Sequence, residues 1–292
     1  MDDLDSFNQN RSALFGVAYR MLGSVADAED MVQEAYLRWQ CEDREHVESA
    51  KAYLTTVVTR LCIDHVRSAR VRREVYPGDW LPEPIPTDGR GPAHAAEVAE
   101  SLSTAFLVLL QSLGPGERAA FLLREVFDYD YETIADVLGK TPSSCRQMVK
   151  RARGRVTQRR RRFAVSPEEH ERVVIKFMEA SAGGDYESLV TLLSEDAELV
   201  TDHGGKALAA RRMICGPDKI ARLILGLRKK GEFAQFTTEL RFVNGAMSMI
   251  TRRGDALHGV MTFEIEDGHI RRMFHVVNPD KLHALDHPPS AN

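Results

Sequence analysis

Apolar residues recur at helical spacing through the first half of the chain and give way to strand-like runs only towards the C-terminus. Residues 7–22 carry Leu14, Val17, Ala18 and Met21 on one face and stop at Gly23-Ser24, which predicts a helix and its end. Residues 27–39 place Ala28, Met31, Val32, Ala35 and Trp39 on one side of a second helix. Asp27, Asp30, Glu34 and Arg38 line its other side, an arrangement that solvated acids near a helix N-terminus would also produce. A third helix over 49–73 is expected to bury Leu54, Val57, Val58, Leu61 and Val66. It would turn Arg60, Asp64, Arg67 and Arg70 outward, with Arg60 and Asp64 at a spacing that also suits an ordinary surface pair. Residues 97–113 and 115–127 supply two more apolar-periodic helices.

The stretch YDYETIADVLGKTPSSCRQMVKRARGRV (129–156) has the punctuation of a helix-turn-helix. Ile134, Ala135 and Leu138 share a face, and Gly139 can take the left-handed conformation that ends a helix. Thr141 then offers an N-cap hydroxyl, and Pro142 stands at the first helical position, where its missing N–H costs nothing. On the second helix Cys145, Met148, Val149, Ala152 and Val156 form a stripe to bury. Ser143, Ser144, Arg146, Gln147, Lys150, Arg151 and Arg153 remain to face outward, short polar groups first and cations afterwards, as suits a helix that reads base edges and grips phosphates.

Residues 76–96 read as a linker, with Pro77, Pro82, Pro84, Pro86 and Pro92 and Gly78, Gly89 and Gly91. Within it WLPEP (80–84) carries Trp80 and Leu81, which a pure spacer would not need. From Ser166 a capping box with Glu169 opens a helix that closes at Gly183-Gly184. A short helix over 186–193, a strand-like AELVTDH, a helix over 216–230 and four strand-like runs follow. Asn244-Gly245 and Asp267-Gly268 separate two pairs of those runs as hairpin turns. The expected architecture is an α+β unit with helices packed on a curved antiparallel sheet.

The 292 residues suffice for two or three small domains. The formal net charge of −4 conceals a window free of acids from Val137 to Pro167, in which Lys140, Arg146, Lys150, Arg151, Arg153, Arg155 and Arg159 to Arg162 accumulate. Local charge therefore points to nucleic acid. Cys41, Cys62, Cys145 and Cys215 have no metal-ligand spacing, so reduced and largely buried thiols are expected, with no metal and no cofactor. The acidic MDDLDSF start is unlike a signal peptide, and no apolar run reaches membrane-spanning length, so a cytosolic protein without membrane contact is expected.

With these motifs the first 163 residues resemble an extracytoplasmic-function (ECF) RNA polymerase sigma factor, built from the second and fourth sigma domains. DAEDMVQEAYLRW is similar to the helix that grips the clamp coiled coil of core RNA polymerase in this family. YLTTVVTRLCIDHVRSARVRRE is similar to the helix that melts and reads the promoter −10 element. The resemblance implies that Asp27, Asp30, Gln33 and Glu34 touch polymerase, that Arg60, Asp64, Arg67 and Arg70 lie near the −10 strand, and that the helix-turn-helix enters the −35 major groove. Core polymerase, through clamp and flap, and promoter DNA are the implied partners. Many members have asparagine where this chain has Arg60.

The C-terminal unit resembles a SnoaL-like cone, and the combination resembles the SigJ-like subgroup, in which such a domain is fused to the sigma factor. WLPEP, TDHGGK (201–206) and NPDKL (278–282) support that match. The implied fold is multidomain: a helical sigma-2 bundle over 1–75, the linker over 76–96, a helix-turn-helix sigma-4 domain over 97–163, the α+β cone over 166–285 and a tail over 286–292. In the subgroup the linker and C-terminal motifs are associated with control of sigma activity. Trp80, Leu81, Pro82, Glu83 and Pro84 would then meet Asp202, Gly204, Gly205 and Lys206 and Asn278, Pro279, Asp280, Lys281 and Leu282. The family's glycine-rich motif usually has a third glycine where this chain has His203, and a plain strand-end turn would also explain 202–206. The cone offers room for a small ligand of unidentified chemistry.

Two other function classes fit parts of the pattern. A two-site DNA-binding repressor explains the basic helices but not the acidic face. A DNA-tethered isomerase or hydrolase of SnoaL type would use Asp202, His203, His258, His275 or Tyr186, yet no spacing fixes a nucleophile or a paired carboxylate system. The expected protein is a sigma factor and not an enzyme.

Overall fold

The computed structural model describes all residues except 1–2, 43–46, 48, 74–75, 88–100, 161–164, 208 and 287–292, and gives only the backbone of 3, 69–73 and 157–160. It divides into two compact units. The first combines Met1–Val75 with Leu107–Gln158, and the second combines Tyr76–Phe106 with Arg159–Asn292.

Among its described residues the first unit is built of helices: α1 (Asp3–Leu22), α2 (Val25–Cys41), α3 (Ala50–Arg73), α4 (Thr104–Gln111, which enters it from Leu107), α5 (Pro115–Glu125), α6 (Tyr131–Leu138) and α7 (Pro142–Arg160). Ser24 caps α2 by accepting the Asp27 N–H at 3.2 Å. Leu14, Met21, Ala28, Val32, Ala35 and Leu54, all at most 1% exposed, fill the space between α1, α2 and α3. Burial of a side chain such as Leu54 contributes about 1.5–3 kcal/mol. On α3 the buried stripe is Leu54, Val58 and Cys62, together with Thr55 and Thr59, while the expected Val57, Leu61 and Val66 are only half-buried. The stripe is rotated because α6 also packs on α3 and covers its threonines.

The helix-turn-helix forms as the punctuation predicts. Asp130 caps α6 through the Thr133 N–H at 2.7 Å, and Gly139 ends it at φ 61°. Thr141 Oγ1 accepts the Ser144 N–H at 3.2 Å and Pro142 begins α7. Cys145, Met148, Val149, Ala152 and Val156 are all buried. The two helical halves of this unit are also joined: Arg118, 3% exposed, donates to the Met21 carbonyl, and Arg20 stacks over Phe127 at 5.4 Å. Burial away from water lowers the Arg20 pKa to about 10.

The second unit contains α8 (Pro167–Gly183), α9 (Tyr186–Leu192), β1 (Leu193–Asp202), β2 (Ile214–Cys215), α10 (Pro217–Lys229), β3 (Thr237–Val243), β4 (Ala246–Arg253), β5 (Ala256–Glu266), β6 (His269–Val276) and α11 (His283–Asp286). Ser166 caps α8, and Gly184 closes it at φ 78°. The sheet order is β2-β1-β6-β5-β4-β3. Four pairings are antiparallel as expected; β1 runs parallel to β6, since the long path through α10 and β3 to β5 leaves its direction free of any hairpin. Both dipeptide turns are left-handed at both residues, Asn244 φ 51° with Gly245 φ 78° and Asp267 φ 50° with Gly268 φ 75°. Val174, Phe177, Leu189, Leu199, Ile220, Phe263 and Met273 belong to the core between helices and sheet.

Of the stretch expected to form the linker and the start of the fourth sigma domain, the described residues 76–87 and 101–106 group with the C-terminal unit, and 88–100 and the 287–292 tail lie outside the described residues. Cys62 and Cys145 are buried as expected, whereas Cys41 and Cys215 are exposed; all four are free. Among the described residues no helix is long and apolar enough to cross a membrane, and no group of His, Cys, Asp and Glu side chains could hold a metal.

Candidate functional site

The acidic face of α2 is present, with its members in different states. Asp30 and Gln33 are exposed, Glu34 pairs with Arg38 at 2.9 Å, and Asp27 lies 3.5 Å from His65 while its backbone takes the Ser24 cap. Periodicity did not single out Leu37, which is 56% exposed one turn beyond Gln33 and Glu34. A large apolar side chain on a charged face is the kind of anchor an interface core uses. Its signal was an apolar residue out of phase with the buried stripe.

On α3, Asp64 and Arg67 pair with each other at 3.1 Å, both well exposed. The Arg70 side chain lies outside the described residues. Arg60 is not free: its guanidinium donates to the carbonyls of Val137 and Asp136 at the end of α6, each at 2.8 Å.

On α7, Ser143, Arg146, Gln147, Lys150, Arg151 and Arg153 face outward and Ser144 is half-buried. Three of the arginines are held by acids of neighbouring helices. Arg146 meets Glu132 at 3.3 Å, Arg151 meets Glu117 at 2.9 Å and Arg153 meets Glu125 at 2.7 Å; Arg155 shares Glu117 at 3.1 Å. The hydrogen bond and charge of Glu125 raise the Arg153 pKa. These pairs fix long, flexible side chains in a fan along one helix face, leaving guanidinium edges for phosphate or base acceptors. Their own contribution to stability is small, because the arginine ends are open to solvent.

The third constellation gathers the three motifs of the linker and C-terminal unit around one carboxylate. Asp202, at the end of β1, is fully buried and accepts hydrogen bonds from Tyr76 Oη at 2.6 Å, the Leu81 N–H at 2.8 Å and Lys281 Nζ at 2.7 Å. Lys281, on the short 3-10 turn Pro279–Lys281, also donates to the Leu81 carbonyl at 2.6 Å. The Trp80 and Tyr76 rings stand 3.9 and 5.1 Å from its ammonium. A buried ammonium is thus met by a carboxylate, a carbonyl and two π faces. Asn278 donates to Tyr76 Oη at 2.9 Å and caps the 3-10 turn by accepting the Asp280 N–H at 3.2 Å. Burial, followed by the bond to Asp202, pushes the Tyr76 phenol up.

TDHGGK is shaped to receive this turn. Gly204 has φ 55°, and a Cβ there would stand 2.3 Å from Asn278 Nδ2, so only glycine fits. Lys206 pairs with Asp280. His203, 7% exposed, accepts the Gly205 N–H through Nδ1 at 2.9 Å and packs against Gly78 of the linker. Leu81, Pro82 and Pro84 are buried and Glu83 is half-buried, so the apolar part of WLPEP does find a receiving surface. Leu282 is buried as well.

A second anchor lies at the turn between β3 and β4. Asn244, 1% exposed, accepts the Ile85 N–H through Oδ1 at 3.1 Å and donates through Nδ2 to the Leu102 carbonyl at 3.0 Å. Its backbone N–H donates to Ile85 O at 2.9 Å, the Thr87 N–H donates to Phe242 O at 3.1 Å, and Thr87 Oγ1 accepts the Gly245 N–H at 2.9 Å. Asn-Gly predicts only a hairpin turn, and nothing in its local sequence marks the asparagine side chain as a ligand for a segment about 150 residues away.

The residues weighed for acid-base chemistry do not converge on one centre. Asp202 and His203 are engaged as above, Tyr186 donates to Asp218 on α10, and His258 stacks on Phe236 at 4.3 Å. Burial lowers the His275 pKa to about 4, which leaves it neutral at physiological pH.

Comparisons with known proteins bear on the family and the fold. Residues 7–72 match the Sigma-70 region 2 family and residues 103–156 the Sigma-70, region 4 family. The chain is 38% identical over 291 residues to the ECF RNA polymerase sigma factor SigJ of Mycobacterium tuberculosis, covering 96% of this chain and 93% of that protein. It is 31% identical over 285 residues to the probable ECF RNA polymerase sigma factor SigI of the same species, covering 96% and 94%. The crystal structure of M. tuberculosis SigJ superposes with a TM-score of 0.77 at 36% identity, over 98% of this chain and all of that one.

Proposed function

Taking as premise that the chain belongs to the ECF RNA polymerase sigma factors, we propose that its C-terminal domain controls initiation by holding or releasing the linker between the two sigma domains. The protein is an alternative sigma factor: it binds core RNA polymerase, directs it to promoters bearing −10 and −35 elements, and is not an enzyme. It acts in the cytoplasm, where both partners are found. Asp30, Gln33 and Glu34, with Leu37, dock on polymerase. The outward face of α3 addresses the −10 strand, and Ser143, Arg146, Gln147, Lys150, Arg151 and Arg153 address −35.

The observation that carries the regulatory reading is the buried Asp202–Lys281 pair closed over Leu81 and Trp80. Residues 76–87 are the first part of the only covalent path from α3 to α4, and they are bound to the C-terminal unit. A free segment of ~28 residues reaches up to about 95 Å when extended. Pinning residues 76–87 and, through Asn244, Leu102 to one domain surface holds both described ends of the segment and removes most of that reach. Promoter engagement then depends on the state of the clamp, and any signal acts only through unequal affinity for its closed and open forms.

Transcription from a promoter-bearing template with purified core polymerase tests this reading. The full chain is compared with chains ending at residue 162 and at residue 277. Transcript yield or promoter choice altered by both truncations is the expected result. Equal transcription by all three removes the regulatory role and leaves the sigma role, and no core binding by any of them removes the sigma role itself.

A further inference from the structure

Arg60 sits where the outward face of α3 meets the helix-turn-helix, and its position is that of a helix cap supplied by another domain. The last carbonyls of any helix lack intrahelical partners and favour a positive charge. The Lys140 N–H serves Ala135 O and the Gly139 N–H reaches Asp136 O at 3.4 Å. Arg60 Nε takes the Val137 carbonyl, and a terminal nitrogen reinforces Asp136. The same contact runs along α3. Thr55 Oγ1 and Tyr129 Oη are hydrogen-bonded at 3.0 Å, and Thr59 is fully buried.

This closed unit cannot serve both promoter elements at once. It holds about 130 residues, and a compact body of that size is about 35–40 Å across. The −10 and −35 elements lie, by their own numbering, about 25 base pairs apart, or ~85 Å at about 3.4 Å per step. The two sigma domains must therefore part, and parting strips Arg60 from α6 at the moment when the −10 strand comes within reach of α3.

We propose that Arg60 is a latch with two mutually exclusive partners, the terminal carbonyls of α6 in the closed unit and the −10 strand in the open one. The inference rests on the sigma reading above and adds to it that −10 readout and separation of the sigma domains are coupled through one side chain. The exposed Asp64–Arg67 pair carries no such coupling, because neither residue touches α6 through an ion pair or side-chain hydrogen bond among the described residues.

The test labels the full chain with a donor and an acceptor fluorophore at Asn8→Cys and Gly154→Cys, both exposed positions, with Cys41 and Cys215 replaced by serine. Single-molecule energy transfer is read for the parent, Arg60→Met and Arg60→Lys, free and with core polymerase on a promoter fragment. The expected parent is closed when free and open on the promoter. Arg60→Met raises the free open-to-closed ratio by tenfold or more, Arg60→Lys falls between, and Arg60→Met loses discrimination between matched and mismatched −10 sequences. Either of two results overturns the proposal: Arg60→Met as closed as the parent, or Arg60→Met open with −10 discrimination intact. Circular dichroism of the labelled chains separates opening from unfolding, and Arg60→Lys keeps the comparison valid if Arg60→Met does not fold. Failure of every chain to bind core polymerase would refute the sigma reading, while the DNA-free transfer difference would still report on the α6 contact.

Discussion

Replacing Lys281 with methionine should unfasten the linker. The ammonium is 7% exposed and its partner Asp202 fully buried, so the substitution leaves a carboxylate without its counter-charge inside the protein. Removing one partner of a buried pair costs about 3–5 kcal/mol, most of it the penalty of the stranded charge. Asp202 keeps the Tyr76 hydroxyl and the Leu81 N–H, so the lower part of that range, ~3–4 kcal/mol, is the better expectation. The sum corresponds to roughly a 200- to 1000-fold rise in clamp opening. Hydrogen exchange at the Leu81 amide reads that opening directly, because this N–H is bonded to Asp202 itself. Asp202→Asn combined with Lys281→Met should exchange more slowly than Lys281→Met alone, since no bare charge remains. In a Trp39→Phe background, Trp80 is the remaining tryptophan, and its emission should change as the cation 3.9 Å from its ring is lost. Leu81 exchange within threefold of the parent in a folded Lys281→Met protein would refute the argument that this pair fastens the linker.

Leu37→Asp should weaken core polymerase binding by tenfold or more without lowering the melting temperature, because the side chain is 56% exposed; titration of labelled core checks it. Lys150→Ala should weaken promoter binding for all sequences alike and reduce the salt slope of log affinity by about 1, as loss of one phosphate contact requires. His275 gives the C-terminal unit an acid-sensitive term. Its folded pKa of about 4 lies below the ordinary value of 6.5, so the unfolded chain binds the proton first. Stability is unaffected above about pH 6.5 and falls by up to ~3 kcal/mol between there and pH 4. Glu264, whose carboxyl is raised by burial, works in the opposite sense, losing stability as pH rises from about 4.5 through its folded pKa. Denaturant unfolding of His275→Gln across that range should show a slope shallower than the parent's.

Most of the fold was legible because short-range chemistry dictated it. Gly139, Thr141 and Pro142 set the helix-turn-helix, Ser166 and Gly184 bounded α8, and two turn dipeptides fixed two hairpins. Each element there is determined by neighbours within a few residues. The misreadings share the opposite cause. Val57, Leu61 and Val66 were assigned to the core of α3 by period alone, but the helix is covered from a second direction by α6, a partner that no helical wheel reveals. Arg60 and Asn244 look like a surface cation and a turn residue until segments 76 and 142 residues away are brought against them. The linker clamp was legible only as motifs. WLPEP, TDHGGK and NPDKL named the participants, but that Asp202 and Lys281 form the pair, and that Tyr76 completes it, depends on three-dimensional register.

The second linker anchor has a consequence for what opening exposes. β3 is the outermost strand of the sheet on its side, and Pro86 bridges to Val243 while Thr87 occupies the Phe242 carbonyl. A bare strand end offers unpaired donors and acceptors to any passing chain, and a proline-bearing cover is one of the ways proteins blunt it. The linker is thus both the tether of the sigma domains and the hem of the sheet. A molecule that has let go of it carries an adhesive border for as long as it stays open. Free sigma factor held open at high concentration should therefore tend to self-associate, and prompt capture of the released linker or of the strand end, by polymerase or by reclosure, would keep the switch reversible.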